Sequence, residues 1–521
     1  MAIEGYISDG YGTHSFSKLE LAAPAPASAP APTPAAPAPA PAPELAAASS
    51  SPATVRVLAG NPQQRVVGFG GALTEAAAVT YAEMPPDLQE EVVRLCYGGA
   101  AEGGIGYTLG RVHLQSSDFA LGNYAYVTRP SRGADVLSTF DLSRDQKLTF
   151  PLVKACLAKQ PNLSLIAAPW SPPAFMKTNR NMNLGGHLRP SCYEAWARVL
   201  ARAVRTWRDE GLPLDRLTAQ NEPGATQLWD SCRYSAYEEA KFAGFYLRQA
   251  LAAEGCDNVK LLAWDHNKES LIERTQALDL ALRWGKLADR AICKLGGMRT
   301  QPATSTFDDV FSGVAFHWYT GDFFDQVKSV RGAHPQAELI HTEGCEAFSN
   351  GRGAHEPHDP EHYAHDMIGD LRAGANGYAD WNILLNEQGG PNHVGNFCDA
   401  PLMYDRTTGQ LTKNRSFYYI GHLSRWITPG SRILPTITAE DSPLETVAAA
   451  RPDGKRVLIA LNRTDHEETF AVEERPMFVP EGATAPTPAT PAGATAAATV
   501  SAALATATIP PHSIATIIWN A

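Results

Sequence analysis

Through the middle of the chain, short apolar runs rich in β-branched residues recur, and each ends in a cluster of polar and aromatic residues. They fall at 65–69, 107–112, 163–167, 216–219, 260–263, 313–317, 338–342 and 377–381. Eight such strands, with amphipathic helices in several of the gaps, give the alternation of parallel βα units rather than of a sandwich. Two of the helices mark their own starts. Ser191-Cys-Tyr-Glu194 and Ser235-Ala-Tyr-Glu238 both read as capping boxes, in which hydroxyl and carboxylate satisfy the first free amides reciprocally. Trp196, Leu200, Val204 and Trp207 follow the first at three- and four-residue spacing up to Gly211, and Phe242, Phe245 and Leu251 follow the second up to Gly255. Aromatic stripes at that spacing are expected to be core contacts against a barrel.

Beyond residue 381 the pattern turns to strands alone. Residues 444–450, the turn Arg451-Pro-Asp-Gly454 and residues 456–462 read as a β-hairpin, and 513–519 as a final strand. The segment 7–21 fits as a further strand of the same β domain. The expected architecture is a (β/α)8 TIM barrel over 54–425, with an additional antiparallel β-sandwich-like side domain over 426–521 that takes its N-terminal strand from 1–21.

Composition changes this picture in two places. Alanine and proline pile up in a near-alternating tract that joins the N-terminal strand to the barrel over 22–53, and again with threonine over about 482–508. Proline removes a donor and fixes φ, so both tracts are expected to be exposed connections that build no core. The other numbers mainly exclude. With 44 basic and 55 acidic residues the formal net charge is −11, which argues against a nucleic-acid binder. Eight scattered cysteines form neither a disulfide framework nor a zinc-ribbon spacing. No stretch approaches the length of an apolar spanning helix, so no integral membrane segment is expected. Residues 1–17 carry acids and glycines in place of a basic start and an apolar run. The expected location is therefore cytoplasmic as the sequence stands, or secreted if a leader has been removed.

In a parallel barrel, polar residues at the carboxyl ends of strands face the mouth where active sites lie. Asn221-Glu222-Pro223 follows the fourth run, and Glu343 follows the seventh in His341-Thr-Glu-Gly-Cys345. A carboxylate just past an apolar strand is costly to desolvate and needs a purpose or a partner. Two glutamates facing one another across a mouth are what glycoside hydrolysis requires, one to protonate the leaving oxygen and one to attack or to activate water. Trp170, Trp318, Tyr319 and Trp381 fall at or just past strand ends, where sugar rings find apolar platforms, and Asp118, Asn221, His317 and Asn396 are placed to hydrogen-bond hydroxyl groups.

Seven segments carry a family resemblance in the right order along the chain. They are Gly68-Phe-Gly-Gly-Ala-Leu-Thr-Glu-Ala76; Gly104-Ile-Gly-Tyr107 with Arg111 and Ser117-Asp-Phe119; Ala168-Pro-Trp-Ser-Pro-Pro173; Gln220-Asn-Glu-Pro223; Phe316-His-Trp-Tyr319; Thr342-Glu-Gly-Cys345; and Asp380-Trp-Asn382 with Gly389-Gly-Pro-Asn392 and Asn396-Phe397. In these the chain resembles glycoside hydrolase family 30, the glucosylceramidase-like enzymes. The resemblance implies a retaining β-glycosidase acting on a β-glycoside (glucoside, oligosaccharide or glycolipid) without a cofactor or metal. Under it Glu222 is the general acid/base and Glu343 the nucleophile. Asn221 contacts the sugar 2-hydroxyl and Tyr319 donates to Glu343. Asp118, Trp170, Trp381 and Asn396 shape the glycone subsite, while Arg111 and His317 support from behind. As the acid, Glu222 is expected to have a raised pKa. The loop Gly224-Ala-Thr-Gln-Leu-Trp-Asp230 departs from the lipid-cleaving members and looks closer to bacterial ones, which leaves the aglycone open. Glucose or xylose, exo or endo action, and β-1,6-glucanase activity also stay open. A second chemistry is posed by His355, His358, His362 and His365, which could hold a metal in a different class of barrel hydrolase, although prolines interrupt the segment and a solvated loop is the plainer expectation. A third reading is a non-catalytic carbohydrate-binding barrel.

Overall fold

The computed structural model describes residues 3–23, 53–128, 133–294, 306–348, 360–476 and 503–521. They divide into two units, residues 64–431 and residues 1–63 with 432–521. In the larger unit eight parallel strands close a barrel in chain order: β1 (Gly68–Ala72), β2 (Leu109–Leu114), β3 (Ser164–Pro169), β4 (Leu214–Thr218), β5 (Lys260–Asn267), β6 (Gly313–His317), β7 (Glu338–Glu343) and β8 (Gly377–Asn382). Ile166, Leu262, Ala315 and Ile340 pack in its interior, so the barrel is filled rather than open.

Two strands differ instructively from the apolar pattern. β1 starts three residues later than the run 65–69, in Gly68-Phe-Gly-Gly-Ala72. Glycine is a poor strand former, yet a Cβ on Gly70 would stand 2.0 Å from the Leu109 carbonyl oxygen, so the close approach of β2 requires it. β5 runs four residues past Ala263, through Trp264-Asp-His-Asn267.

The helix Tyr193–Asp209 buries Trp196, Leu200, Val204 and Trp207 completely, and Gly211 leaves it at φ +78°. Its expected capping box does not form. Pro190 opens a short 3-10 turn, Pro190–Cys192, so the chain is already helical at Ser191, and Cys192 caps the helix without a side-chain bond. The second box does form: the Ser235 amide donates to Glu238 at 2.8 Å and the Glu238 amide to Ser235 Oγ at 3.2 Å.

The smaller unit holds two sheets. One orders Arg432–Leu434, Glu445–Ala450, Lys455–Asn462, Ser513–Asn520, Ile3–Asp9 and Ser17–Leu19, all antiparallel. The hairpin turn is closed by the Gly454 amide on the Arg451 carbonyl, with Gly454 at φ +84°. The other orders Thr436–Ile437, Ala53–Leu58, Glu468–Arg475, Ala505–Ile509 and Leu21–Ala22, and its pair Ala53–Leu58 with Glu468–Arg475 is parallel. Val55, Val57, Leu458, Phe470, Ile517 and Trp519 fill the space between the sheets. Two boundaries thus move. Ala53–Leu58, expected at the junction of connection and barrel, is a sheet strand, because Val55 and Val57 alternate into this core. Ala505–Ile509, expected inside the second low-complexity tract, is a strand for the same reason, its Ala505, Ala507 and Ile509 pointing inward. The rest of that tract and most of the first lie outside the described residues. No helix among the described residues is long and apolar enough to cross a membrane.

Candidate active site

The carboxyl ends of β4 to β7 are irregular, and the irregularities place the polar side chains. Pairing between β5 and β6 skips Asp265, and pairing between β6 and β7 skips Thr342. Such bulges re-aim side chains at barrel rims. Glu222, Trp264 and Asp265 sit at φ +46°, +74° and +51°, a left-handed conformation that costs on the order of 1–3 kcal/mol at each non-glycine residue. Hydrogen bonds hold it in place: the Glu222 amide donates to the Asp265 carbonyl at 2.9 Å, and the Trp264 amide to Glu239 Oε1 at 2.9 Å.

Arg111, fully buried on β2, organises the floor. Its guanidinium donates to Glu343 Oε2, to Asn221 Oδ1 at 2.7 Å and to Asp265 Oδ2 at 3.0 Å. It also lies under Trp170 and Trp381, which stack on each other at 5.4 Å. Tyr319 Oη donates to the other Glu343 oxygen at 3.0 Å, so that carboxylate is fixed from both sides. Asp265 accepts from Thr342 and Thr218 as well, at 2.7 and 2.8 Å. Burial alone would push its carboxyl up, but Arg111 and His317 beside it hold the group well below the usual range.

His317 stands between the two glutamates. Its Nδ1 is 3.4 Å from Glu222 Oε1, its Nε2 3.2 Å from Asp265 Oδ1 and 4.0 Å from Glu343 Oε2. Burial would lower its pKa, yet the Glu343 charge and the bonds to Asp265 and Glu222 outweigh that and push it up to about 9. Glu222 behaves in the opposite sense. The sequence reading expects a raised carboxyl, and burial does act that way, but the imidazoles of His266 and His317 outweigh it and hold Glu222 well below the usual range. The proton expected on Glu222 therefore rests, in this arrangement, on His317. Asp118 shows the effect of burial with little to oppose it: desolvation and the Glu343 charge push it up to about 8, against a single hydrogen bond from Asn396 Nδ2 at 2.9 Å.

Asp118, Trp170, Asn221, Glu222, Tyr319, Glu343, Trp381 and Asn396 all line one cavity of ≈ 250 Å³. Arg111 and His317 lie behind that lining, each with no exposed surface. Trp318 does not reach the cavity. It is buried, stacked at 4.0 Å on His362 and edge-on to His341, which makes it core rather than a sugar platform. Of the four histidines read as a solvated loop, His355 and His358 lie outside the described residues. His362 and His365 instead sit on the helix Pro360–Ala373, near Glu346 and Asp322 respectively.

The sequence reading missed His266, Asn267 and Cys398 among the lining residues, and it held Gln227, Trp229 and Cys345 only as members of the segments 224–230 and 342–345. Gln227 Nε2 donates to Glu222 Oε2 at 3.0 Å, and His266 Nδ1 lies 3.6 Å from Glu222 Oε1. A signal for Asp265 and His266 was present, since a polar cluster follows the apolar Leu261-Leu-Ala263 just as it follows the other strands.

Comparison with known proteins agrees with this architecture. The Glycosyl hydrolase family 30 TIM-barrel domain matches residues 66–280 and 303–427, and the Glycosyl hydrolase family 30 beta sandwich domain matches residues 431–517. Lysosomal acid glucosylceramidase of Mus musculus is 30% identical over 435 residues, 79% of this chain and 77% of that protein. Endo-1,6-beta-D-glucanase neg1 of Aspergillus fumigatus is 24% identical across 77% of this chain and 79% of its own. Among solved structures, SrfJ from Salmonella typhimurium superposes with a TM-score of 0.79 at 33% identity, covering 100% of both chains. With both domains matched over most of its length, the chain belongs to glycoside hydrolase family 30 and is a glycosidase.

Proposed function

We propose that the protein is a retaining β-glycosidase that cleaves β-D-glucosidic bonds by double displacement, with Glu343 as nucleophile and Glu222 as acid/base. The observation that carries this reading is the unequal support of the two carboxylates on one cavity. Arg111 and Tyr319 clamp both oxygens of Glu343, aiming it as an attacking group must be aimed. Glu222 meets the His317 imidazole, which carries a proton, on one oxygen and the Gln227 amide, a hydrogen-bond donor, on the other. In the first step Glu343 attacks the anomeric carbon while Glu222, drawing on the proton held by His317 at 3.4 Å, protonates the departing oxygen. In the second step Glu222 takes a proton from water, which attacks the glycosyl–Glu343 ester and releases the sugar with its configuration retained. Asn221, held by Arg111, faces the sugar 2-hydroxyl, where a contact that strengthens in the transition state accelerates the reaction. The preference for glucose rests on the names of two relatives, a glucosylceramidase and an endo-1,6-beta-D-glucanase, which both point to glucosyl bonds.

Turnover of an aryl β-glucoside, an aryl β-xyloside and a β-1,6-glucan oligomer, followed by NMR of the first-formed anomer, tests the reading. Wild type should release β-glucose first, and Glu343→Gln should be inactive. Glu222→Gln should be slowed on the order of 10²–10⁴-fold. Inversion of configuration, or full activity in Glu343→Gln, would refute the mechanism. Preferential cleavage of the oligomer would assign the glucanase specificity instead.

A further inference from the structure

Among the described residues, two places bring three possible metal ligands within 4.8 Å of one another: His341 with Asp366 and Asp370, and Glu222 with His266 and His317. The first already contains its cation, because the Lys268 ammonium pairs with both aspartates. The second has no lysine or arginine among the ion-pair partners of Glu222 in the described residues. Gln227 takes one oxygen of Glu222, and both ion-pair partners of the other oxygen, among the described residues, are imidazoles.

Three features of that second cluster suit a first-row divalent cation. His266 Nδ1 is a buried nitrogen without a hydrogen-bond partner, aimed at Glu222 Oε1 from 3.6 Å. His317 Nδ1 faces the same oxygen from 3.4 Å. The edge of a tetrahedron with bonds of about 2.1 Å to nitrogen and oxygen is roughly 3.4 Å, so these separations are near those of ligands around one zinc ion. Behind His317, Asp265 takes the far ring nitrogen at 3.2 Å and is itself pinned by Thr342, Thr218 and Arg111. A carboxylate behind a ligating histidine fixes its ring and raises its basicity. Glu222 and His266 line the cavity, which leaves a fourth position open to water.

We propose that Glu222, His266 and His317 form a binding site for one borderline divalent cation of the Zn²⁺ class, occupied in competition with the glycoside. The ion takes the carboxylate that the proposed mechanism uses for proton transfer, and any proton it displaces from the imidazoles leaves to solvent. Metal and substrate then exclude each other, and the metal is an inhibitor rather than a cofactor. The inhibition rests on the functional reading above; the binding does not.

Calorimetric titration of the chelator-treated full-length protein with Zn²⁺ alone tests the site, beside His266→Asn and Glu222→Gln. Wild type should show one site that each substitution weakens at least tenfold and that an iminosugar bound in the cavity displaces. Zn²⁺ should also raise KM for an aryl β-glucoside without lowering kcat. Equal Zn²⁺ affinity in all three proteins, or binding indifferent to the iminosugar, would overturn the site. Site-specific binding in a protein that hydrolyses no β-glycoside would keep the site and reject the functional reading. Hydrolysis that proceeds with unaltered kinetics in Zn²⁺ would do the reverse.

Discussion

At the scale of single residues, the proton sits beside Glu222 rather than on it. Burial alone would push the Glu222 carboxyl up, but two imidazoles within 3.6 Å reverse the sign, and His317 holds its own proton up to about 9. In the proposed mechanism, proton transfer from the pair to a leaving oxygen requires that proton to be present. The basic limb of kcat/KM should therefore fall near pH 9, where His317 loses it. His317→Asn removes the proton store and one of the two groups that depress Glu222, which leaves Glu222 to titrate as a buried carboxyl. The limb should then move to lower pH by on the order of one unit or more. A pH–rate profile on an aryl β-glucoside measures this, and an unmoved limb would show that His317 takes no part in proton transfer. Asp118 is a further buried acid that keeps its proton to about 8, so below that pH it presents a donor to the cavity.

At the scale of elements, what the sequence made legible was the apolar strand with most of the polar residues just past it, and what it hid was how far β5 runs beyond its apolar part. Runs such as Gly313–His317 were read to the residue because burial on both faces leaves no other reading. Asp265 and His266 were lost because β5 continues through four polar or aromatic residues and a bulge, and only a neighbouring strand can reveal a bulge. The β1 glycines were read as a motif rather than a strand because the reason for them, the Leu109 backbone, is distant in sequence. Ser191 misled because a capping box and a proline-led turn compete for the same residues. A further hidden element is the charged network under β7. Lys268, just past β5, joins Asp366 and Asp370 on the helix Pro360–Ala373, and both aspartates bind His341, two residues before Glu343. Burial and the charge on Asp366 push Asp370 up to about 6, so the ammonium is needed to keep the pair tolerable. Lys268→Met leaves two fully buried aspartates with His341 as their remaining partner and should cost up to about 3–5 kcal/mol. Urea denaturation reads it directly, and a loss under about 1 kcal/mol would mean that water or a protonated aspartate replaces the lysine.

At the scale of the whole molecule, the sheet that both low-complexity tracts interrupt sets how much chain each tract must supply. Ala22 pairs with Thr506, Thr506 with Ala471, and Ala471 with Thr54, so Ala22 and Thr54 are level across three strand spacings. That distance is about 14 Å at 4.8 Å per spacing. The strands carrying Ala22 and Thr54 are parallel, so the chain must leave one end of the sheet and return to the other, which takes a dozen or so residues. The thirty residues 23–52 exceed this more than twofold, and among the described residues none that lines the cavity belongs to either tract. Deleting fifteen of residues 24–52 should therefore leave kcat/KM unchanged. It should alter stability by only about 0.6 kcal/mol, in the stabilising direction, because halving the length of a connection lowers its closure entropy by that amount. Denaturant midpoints and aryl β-glucoside kinetics on the shortened chain would check both. A loss of more than about 2 kcal/mol, or any fall in turnover, would assign the tract a structural or catalytic part that the strand register alone does not demand.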